Sequence, residues 1–393
     1  MGICPVKNNY RPIALSTIMS KIFELILLDR CSDCLKTSDN QFAYKEEHGT
    51  EMAITLLKNA TAQYSERNTP VYACFLDMSK AFDKVCHDIL FKKLLKRGVP
   101  KYIVFILQIC YSSQKMSVKW GRFTSDSNVT CGVKQGSILS PYLFNIYMDE
   151  LTNCLNVYKI GCFINDKIVN NFIYADDIVI FSPSLPGLQV LLSACEKYIN
   201  SVRLTLNTNK TKCIMFSRTR QYRPPSTPIK INGTNLEFVS KYKYLGYTLH
   251  HDNSDKQHTE SLYRGLCVRA NAIYRNFKNC TPEVKRLLFM SFFTPFYCIA
   301  ILMRLNVSDF NRLRVCYNNS IRKMFNLARQ ISISNTCVQL GIPTFGELRR
   351  KAVGSLMRRV RNSSNAIVRS FSDFNYLQTT ELYSMWRQIL YPF

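Results

Sequence analysis

The stretch Phe172-Ile-Tyr-Ala-Asp-Asp-Ile-Val-Ile-Phe181 constrains this chain more than any other. Two runs of apolar, β-favouring residues flank a short polar centre, the pattern of a tight β-hairpin. Its tip carries Asp176 and Asp177, and two adjacent carboxylates repel unless a cation sits near them. A solvated turn would accommodate an isolated Asp-Asp pair equally well. A third carboxylate changes the balance: Asp77 ends the apolar run Val71-Tyr-Ala-Cys-Phe-Leu76, itself a strand pattern. Three carboxylates at strand ends form a set of hard oxygen donors suited to Mg²⁺. Two such ions, about 3.5–4 Å apart, can activate an attacking hydroxyl and stabilise a leaving oxygen in one in-line displacement.

The rest of the composition narrows the class. With 393 residues and 47% hydrophobic side chains, the chain can bury a sizeable core in two or three subdomains, which excludes a disordered polypeptide. The net charge of +25 is uneven: residues 1–200 carry 22 basic and 18 acidic side chains, residues 201–393 carry 30 and 9. A near-neutral half joined to a strongly basic one suggests a polyanion lying across the C-terminal region. Sixteen cysteines without paired spacing suit a reducing compartment, nucleus or cytoplasm, where they act as small core residues. Cys31-Ser-Asp-Cys34 has no second pair to complete a zinc site. The most apolar window, Phe289 to Leu305, is interrupted by Pro295 and Arg304, so a buried helix is expected there and no membrane partner.

Along the chain, Ser16 and Thr17 are candidate caps for a helix over residues 18–36, and Glu51 to Arg67 reads as another. Asp88 is the expected cap of a helix to Lys96 with Gly98 as its stop. Lys101 to Ser112 is a further helix, and a strand hairpin runs from Ser117 to Thr130. Ser140 and Pro141 suit the Ncap and N1 positions of a helix to Leu155, with Leu143, Ile146, Tyr147, Met148 and Leu151 on its apolar side. Ser184 opens a helix to about Ser201, and Asn232-Gly233 marks a hairpin turn. From Glu260 the pattern is helical, near 260–278, 282–303, 308–328 and 345–361, striped with Arg and Lys such as Arg312, Arg314, Arg322 and Lys323.

Tyr174-Ala-Asp-Asp177 together with Phe75-Leu-Asp77-Met-Ser-Lys-Ala-Phe82-Asp83 resembles motifs C and A of reverse transcriptases. The form is most similar to the non-LTR (LINE-type, jockey-like) retrotransposon branch. Gly132-Val-Lys-Gln135-Gly136-Ser-Ile-Leu-Ser140-Pro141 resembles motif B, Leu206-Asn207-Thr-Asn-Lys210-Thr-Lys212 motif D, and Tyr242-Lys-Tyr244-Leu245-Gly246 motif E, the primer grip. Tyr10-Arg11-Pro-Ile and Gln41-Phe-Ala-Tyr-Lys45 resemble the two finger motifs. At the second, this chain has Ala43, Tyr44 and Lys45 where the family commonly has Gly, Phe and Arg; Lys keeps the charge but loses the bidentate fork.

The resemblance implies an α+β right-hand polymerase. Fingers would span 1–70 with part of 90–130, a ferredoxin-like palm with an antiparallel sheet 71–250, and a helical thumb with the basic region 256–393. It implies RNA-directed DNA polymerase activity on an RNA template, a DNA primer and dNTPs, with two Mg²⁺ ions on Asp77, Asp176, Asp177 and the Met78 carbonyl. Lys210, or second to it Lys212, would attend the leaving pyrophosphate. Arg11, Lys45, Phe82, Gln135, Gly136, Tyr174, Tyr244, Leu245 and Gly246 would contact substrate, with Phe82 crowding a ribose 2′-hydroxyl. Phe82 as a plain core aromatic and either lysine as a solvated loop residue remain open. Relatives usually carry more chain before Arg11, often an endonuclease. The expectation is therefore an N-terminally truncated element copy or a partial gene, with an endonuclease absent from this chain and supplied elsewhere. A group II intron-type maturase and a catalytically silent nucleic-acid-binding remnant are the alternatives.

Overall fold

A computed structural model describes residues 13–165, 167–219, 221–294, 296, 298, 305, 307–372 and 381–391. The chain opens with α1 (Ile18–Arg30) and α2 (Thr50–Glu66), then enters β1 (Val71–Leu76). α3 (His87–Lys96), α4 (Lys101–Ser112) and the hairpin β2 (Lys115–Trp120) and β3 (Phe123–Asn128) follow. α5 (Ser140–Asn156) leads to the small hairpin β4 (Cys162–Ile164) and β5 (Lys167–Val169). Next come β6 (Asn171–Tyr174), β7 (Asp177–Ser182), α6 (Leu185–Ser201) and β8 (Lys212–Phe216). Short strands β9 (Lys230–Ile231), β10 (Thr234–Asn235) and β11 (Glu237–Phe238) precede the hairpin β12 (Lys241–Tyr244) and β13 (Tyr247–His250). The remainder is helical: α7 (Lys256–Phe277), α8 (Pro282–Leu288), α9 (Val307–Phe325), α10 (Ile333–Leu340), α11 (Phe345–Asn362), α12 (Ala366–Ser372) and a last helix, Glu381–Leu390.

The main sheet has the order β11-β8-β1-β7-β6. β1, β6, β7 and β8, joined through helices as β-α-β-β-α-β, form an antiparallel split βαβ, the ferredoxin-like arrangement. Period-2 alternation sends Val71, Ala73 and Phe75 into one core and Cys74 and Leu76 into the other. The first core joins the sheet to α2 and to the C-terminal helices through Tyr317, Phe345 and Leu356; the second joins it to α3, α5 and α6. In this topology the C-terminal end of β1 and the β6–β7 turn lie at the same end of the sheet, which places Asp77 and the Asp176–Asp177 turn there.

Local capping agrees with the sequence in part. Thr17 accepts the Ser20 amide, Ser184 accepts the Gly187 amide, and Asn232 and Gly233 both take positive φ in the β9–β10 turn. The start of α5 differs. Its helix already includes Ser140, and the capping oxygens come from Ser137 Oγ, which accepts the Ser140 amide, and from Glu24, which accepts those of Ile138 and Leu139. Likewise α3 begins at His87, with Asp88 in its first turn and not as its cap, because Cys86 already turns the chain.

The helical half is more divided than its charge stripes suggest. The apolar window from Phe289 continues α8 as a π-helical turn, Phe289–Phe293, with both phenylalanines buried; Pro295 and Arg304 lie outside the described residues. α10, α12 and Glu381–Leu390 are further helices. The segment after α11 returns to the N-terminal half, where Asn365 Nδ2 donates to the Asp39 carbonyl and Asp39 accepts the Ala366 amide. Arg359 pairs with Glu51 on α2 at 3.0 Å. No helix among the described residues is long and apolar enough to cross a membrane.

Candidate active site

The β6–β7 hairpin closes with Tyr174 paired to Asp177, leaving Ala175 and Asp176 as its two turn residues. Ala175 has φ of +56°, a left-handed conformation that side chains other than glycine rarely adopt. β7 pairs with β1 so that Leu76 faces Ile178. One register step further, Asp77 and Asp177 share the sheet face of Phe75 and Val179. Tyr242 reports their proximity. Burial, then Asp177 and Asp77, push its hydroxyl up to about 12. Burial and then Asp177 raise Tyr244 well above its ordinary value, and burial and then Asp176 raise Tyr44.

The segment after α6 holds Asp77 by its backbone. The Asp77 amide donates to Thr211 Oγ1 at 3.3 Å, and its carbonyl accepts the Asn207 amide at 2.8 Å. Ser79 N–H donates to the Thr205 carbonyl, so the Met78–Leu206 bridge uses the carbonyls of Asp77 and Thr205 and not that of Met78. Lys210 is exposed on the turn that begins at Asn207, whereas Lys212 is engaged with Glu237 at 2.6 Å. The same loop therefore orients Asp77 and carries the first-choice lysine.

β12 and β13 turn at Leu245 and Gly246, both at positive φ, the mirror-image turn that suits tight hairpins. Tyr242 stacks on Phe75 at 4.6 Å and Tyr244 lies 5.3 Å from it, which docks the hairpin two residues from Asp77.

On the other side, Phe82 stacks on Phe144 of α5 at 4.4 Å and is half-buried. Gln135 Nε2 donates to Asp83 at 2.9 Å, and its carbonyl accepts the Ala14 amide. Gly136, at φ +106°, has its open side against the Ala14 carbonyl; a Cβ there would come within 2.7 Å of that oxygen. Its bareness thus admits the chain's own backbone, where the resemblance implied a substrate contact. Lys45 also departs from expectation. Its ammonium donates to the Thr37 and Ser38 carbonyls at 3.0 and 2.5 Å, and burial lowers its pKa, so it ties its own loop together and is not extended towards a triphosphate. Tyr174 is half-buried at the end of β6, and Arg11 lies outside the described residues. Asn207, Thr211 and Tyr242 lie within the stretches that resemble motifs D and E, but the sequence assigns them no role.

Among the described residues, no three His, Cys, Asp or Glu side chains are gathered closely enough to hold an ion as they stand. The donor chemistry nonetheless fits a hard divalent cation: carboxylates at one sheet edge, and a Met78 carbonyl that the neighbouring bridge does not use.

Residues 5–249 match the model of the family described as reverse transcriptase (RNA-dependent DNA polymerase). The chain belongs to the reverse transcriptase family. It is similar to the RNA-directed DNA polymerase from mobile element jockey of Drosophila melanogaster, at 23% identity over 92% of this chain and 40% of that protein. It is also similar to the probable RNA-directed DNA polymerase from transposon BS of the same organism, at 27% over 80% and 36%. The chain thus spans about 40% of the length of the curated relatives it matches. A similar solved structure is apo telomerase from Candida Tropicalis, at 11% identity over 92% of this chain and 57% of that one, with a TM-score of 0.44. The antiparallel split βαβ with its carboxylate-bearing edge is the right-hand polymerase fold of this reverse transcriptase.

Proposed function

We propose that this reverse transcriptase domain copies RNA into DNA, transferring a deoxynucleotide from a dNTP to a primer 3′-hydroxyl. The observation that carries this is the placement of Asp77 and Asp177 on one face at successive strand ends, with Asp176 in the adjoining turn. In the reaction the primer 3′-oxygen loses its proton and bonds to the α-phosphorus, while the bond to the β-phosphate oxygen breaks and pyrophosphate leaves. Two Mg²⁺ ions bound by Asp77, Asp176, Asp177 and the Met78 carbonyl would activate the hydroxyl and offset the charge of the leaving group.

The residues around them supply position. The Asn207–Thr211 loop holds Asp77 and presents Lys210 to the pyrophosphate. Phe82, backed by Phe144, would meet the sugar, and Gln135, held by Asp83, would stand beside the nucleotide, while Gly136 leaves room for the Ala14 carbonyl. Tyr244, Leu245 and Gly246 would support the primer end from the hairpin beside Phe75. Residues 1–70 would act as fingers, 71–250 as palm and 256–393 as a thumb whose positive charge meets the RNA–DNA duplex. The working compartment would be the nucleus or cytoplasm, where the sixteen cysteines stay reduced.

The test is primer extension by purified protein on an RNA template with a DNA primer, Mg²⁺ and dNTPs. Extension by the wild type and none by folded Asp176→Asn is expected. Wild-type protein that binds template–primer and never extends it would instead be a silent nucleic-acid-binding protein.

A further inference from the structure

Gln41 is 1% exposed and stands outside the residues given roles above. Residues 40–42 run along the free side of β6: the Phe42 amide donates to the Ile173 carbonyl at 2.8 Å and the Ile173 amide to the Asn40 carbonyl at 2.9 Å. Amide side chains fasten this arm at both ends. Asn40 Nδ2 donates to the Asn171 carbonyl at 2.8 Å, and Asn145 Nδ2 of α5 donates to the Ala43 carbonyl at 2.8 Å.

From this arm Gln41 Oε1 accepts two amides, that of Ala43 at 3.0 Å and that of Ala175 at 3.3 Å. Ala175 is itself buried, and it is the positive-φ residue immediately before Asp176. A buried amide must find an acceptor, and a side-chain-bearing residue held at positive φ must be held by its surroundings. The Gln41 carbonyl meets both needs at once. Its Nε2 has no hydrogen-bond partner among the described residues, so the carbonyl is the end of this amide that acts.

We propose that Gln41 is a positioning residue for nucleotidyl transfer: by accepting the Ala175 amide it sets the turn that keeps Asp176 and Asp177 beside Asp77. This rests on the polymerase reading above. Gln41→Met keeps the length and removes the acceptor. It should slow single-nucleotide addition by about ten- to a hundredfold, as small misplacements of reacting groups do, while KM for dNTP and affinity for template–primer stay unchanged. Mn²⁺ binding followed by electron paramagnetic resonance should weaken in the same variant. Adding Ala175→Gly should recover part of both losses, because glycine takes positive φ without an anchor. In the wild type, the Ala175 amide should exchange with deuterium slowly.

A wild-type addition rate in Gln41→Met overturns the proposal, as does a loss that only tracks the folded fraction and is not relieved by Ala175→Gly. Rapid exchange of the Ala175 amide overturns it even if Gln41→Met does not fold. Wild type and Asp176→Asn, assayed alongside, separate the levels: if the wild type adds no nucleotide, the polymerase reading has failed; if Asp176→Asn adds nucleotides normally, its carboxylate site has; and if Asp176→Asn alone is inactive, only the role of Gln41 has.

Discussion

Asp77 and Asp177 stand across from each other one register step past Leu76 and Ile178, where β1 and β7 end their ladder. Neighbouring strands lie about 4.8 Å apart, so the two carboxylates leave the same sheet face at close range. Like charges there are costly without a cation, which is the physical reason to expect one. Phe75, two residues before Asp77, stacks on Tyr242, and the Asn207–Thr211 loop holds Asp77 by its backbone amide and carbonyl.

Phe82 is backed by Phe144, so its ring has a fixed place. Phe82→Ala should raise the incorporation of ribonucleotides relative to deoxynucleotides and cost about 1 kcal/mol of stability through the lost ring pair. Competition between labelled rNTP and dNTP in single-nucleotide addition measures the first effect. An unchanged ratio would mean that Phe82 is a core aromatic only.

Lys210 in the loop after α6 and Lys212 at the start of β8 differ in their surroundings. Lys210→Ala should lower the addition rate by about a hundred- to ten-thousandfold, the scale of a lost general acid. Lys212→Ala breaks an exposed pair with Glu237, worth about 0.5 kcal/mol, and should leave the rate near wild type. Rapid-quench measurements that ranked them the other way would reassign the role.

The basic stripe on α9 divides in the same manner. Arg312 is paired with Glu260 at 2.7 Å and lies 4.0 Å over the ring of Tyr263, while Lys323 reaches Asn271 and Tyr274, so both join α9 to α7. Arg314 is exposed, and Arg322 lines an open cavity with Arg329. Replacing Arg314 and Arg322 by Ala should weaken template–primer binding and lower its salt dependence by about one unit of log–log slope for each phosphate no longer neutralised. Arg312→Ala should chiefly lower the melting temperature. Filter binding across salt concentrations checks this; a slope that does not move contradicts it.

Lys93 is buried between α3, α5 and α6, donating to the Tyr147 carbonyl, to Glu150 and to the Tyr198 hydroxyl at 2.8–2.9 Å. That hydrogen bond holds the Glu150 carboxyl below its usual value of 4.5. A carboxyl depressed in the folded state adds stability above its unfolded pKa, and this is lost as pH falls through the folded one. Wild-type protein should therefore lose stability from about pH 4.5 downwards in part through Glu150. Lys93→Met should remove that part of the acid dependence and cost about 2 kcal/mol at neutral pH, for the acceptors left buried. Urea midpoints against pH that are parallel for the two proteins would exclude this coupling.

The hairpin, the Asp77 strand, α5 and the Asn232–Gly233 turn were all legible in the sequence, because alternation and turn chemistry act over a few residues. The long-range interactions that reassign residues were not. Glu24 caps a helix 114 positions away, and Ala14 fills the space beside Gly136. Gln41 was visible within a motif, but its bond to Ala175 spans 134 positions. The segment after α11 carries little periodicity, and its bonds to Asp39 and its burial of Ile367, Val368 and Phe371 in the first core join residues more than 300 positions apart.

The central claim is that Asp77 and Asp177 act as one unit. Single-nucleotide addition on an RNA template by Asp77→Asn, Asp177→Asn and the double variant, each confirmed folded by circular dichroism, tests it most directly. Each single change should cost about a thousandfold or more, and the double variant should be no slower than the worse single, since residues acting together are strongly non-additive. Modest losses that multiply in the double variant would contradict the account.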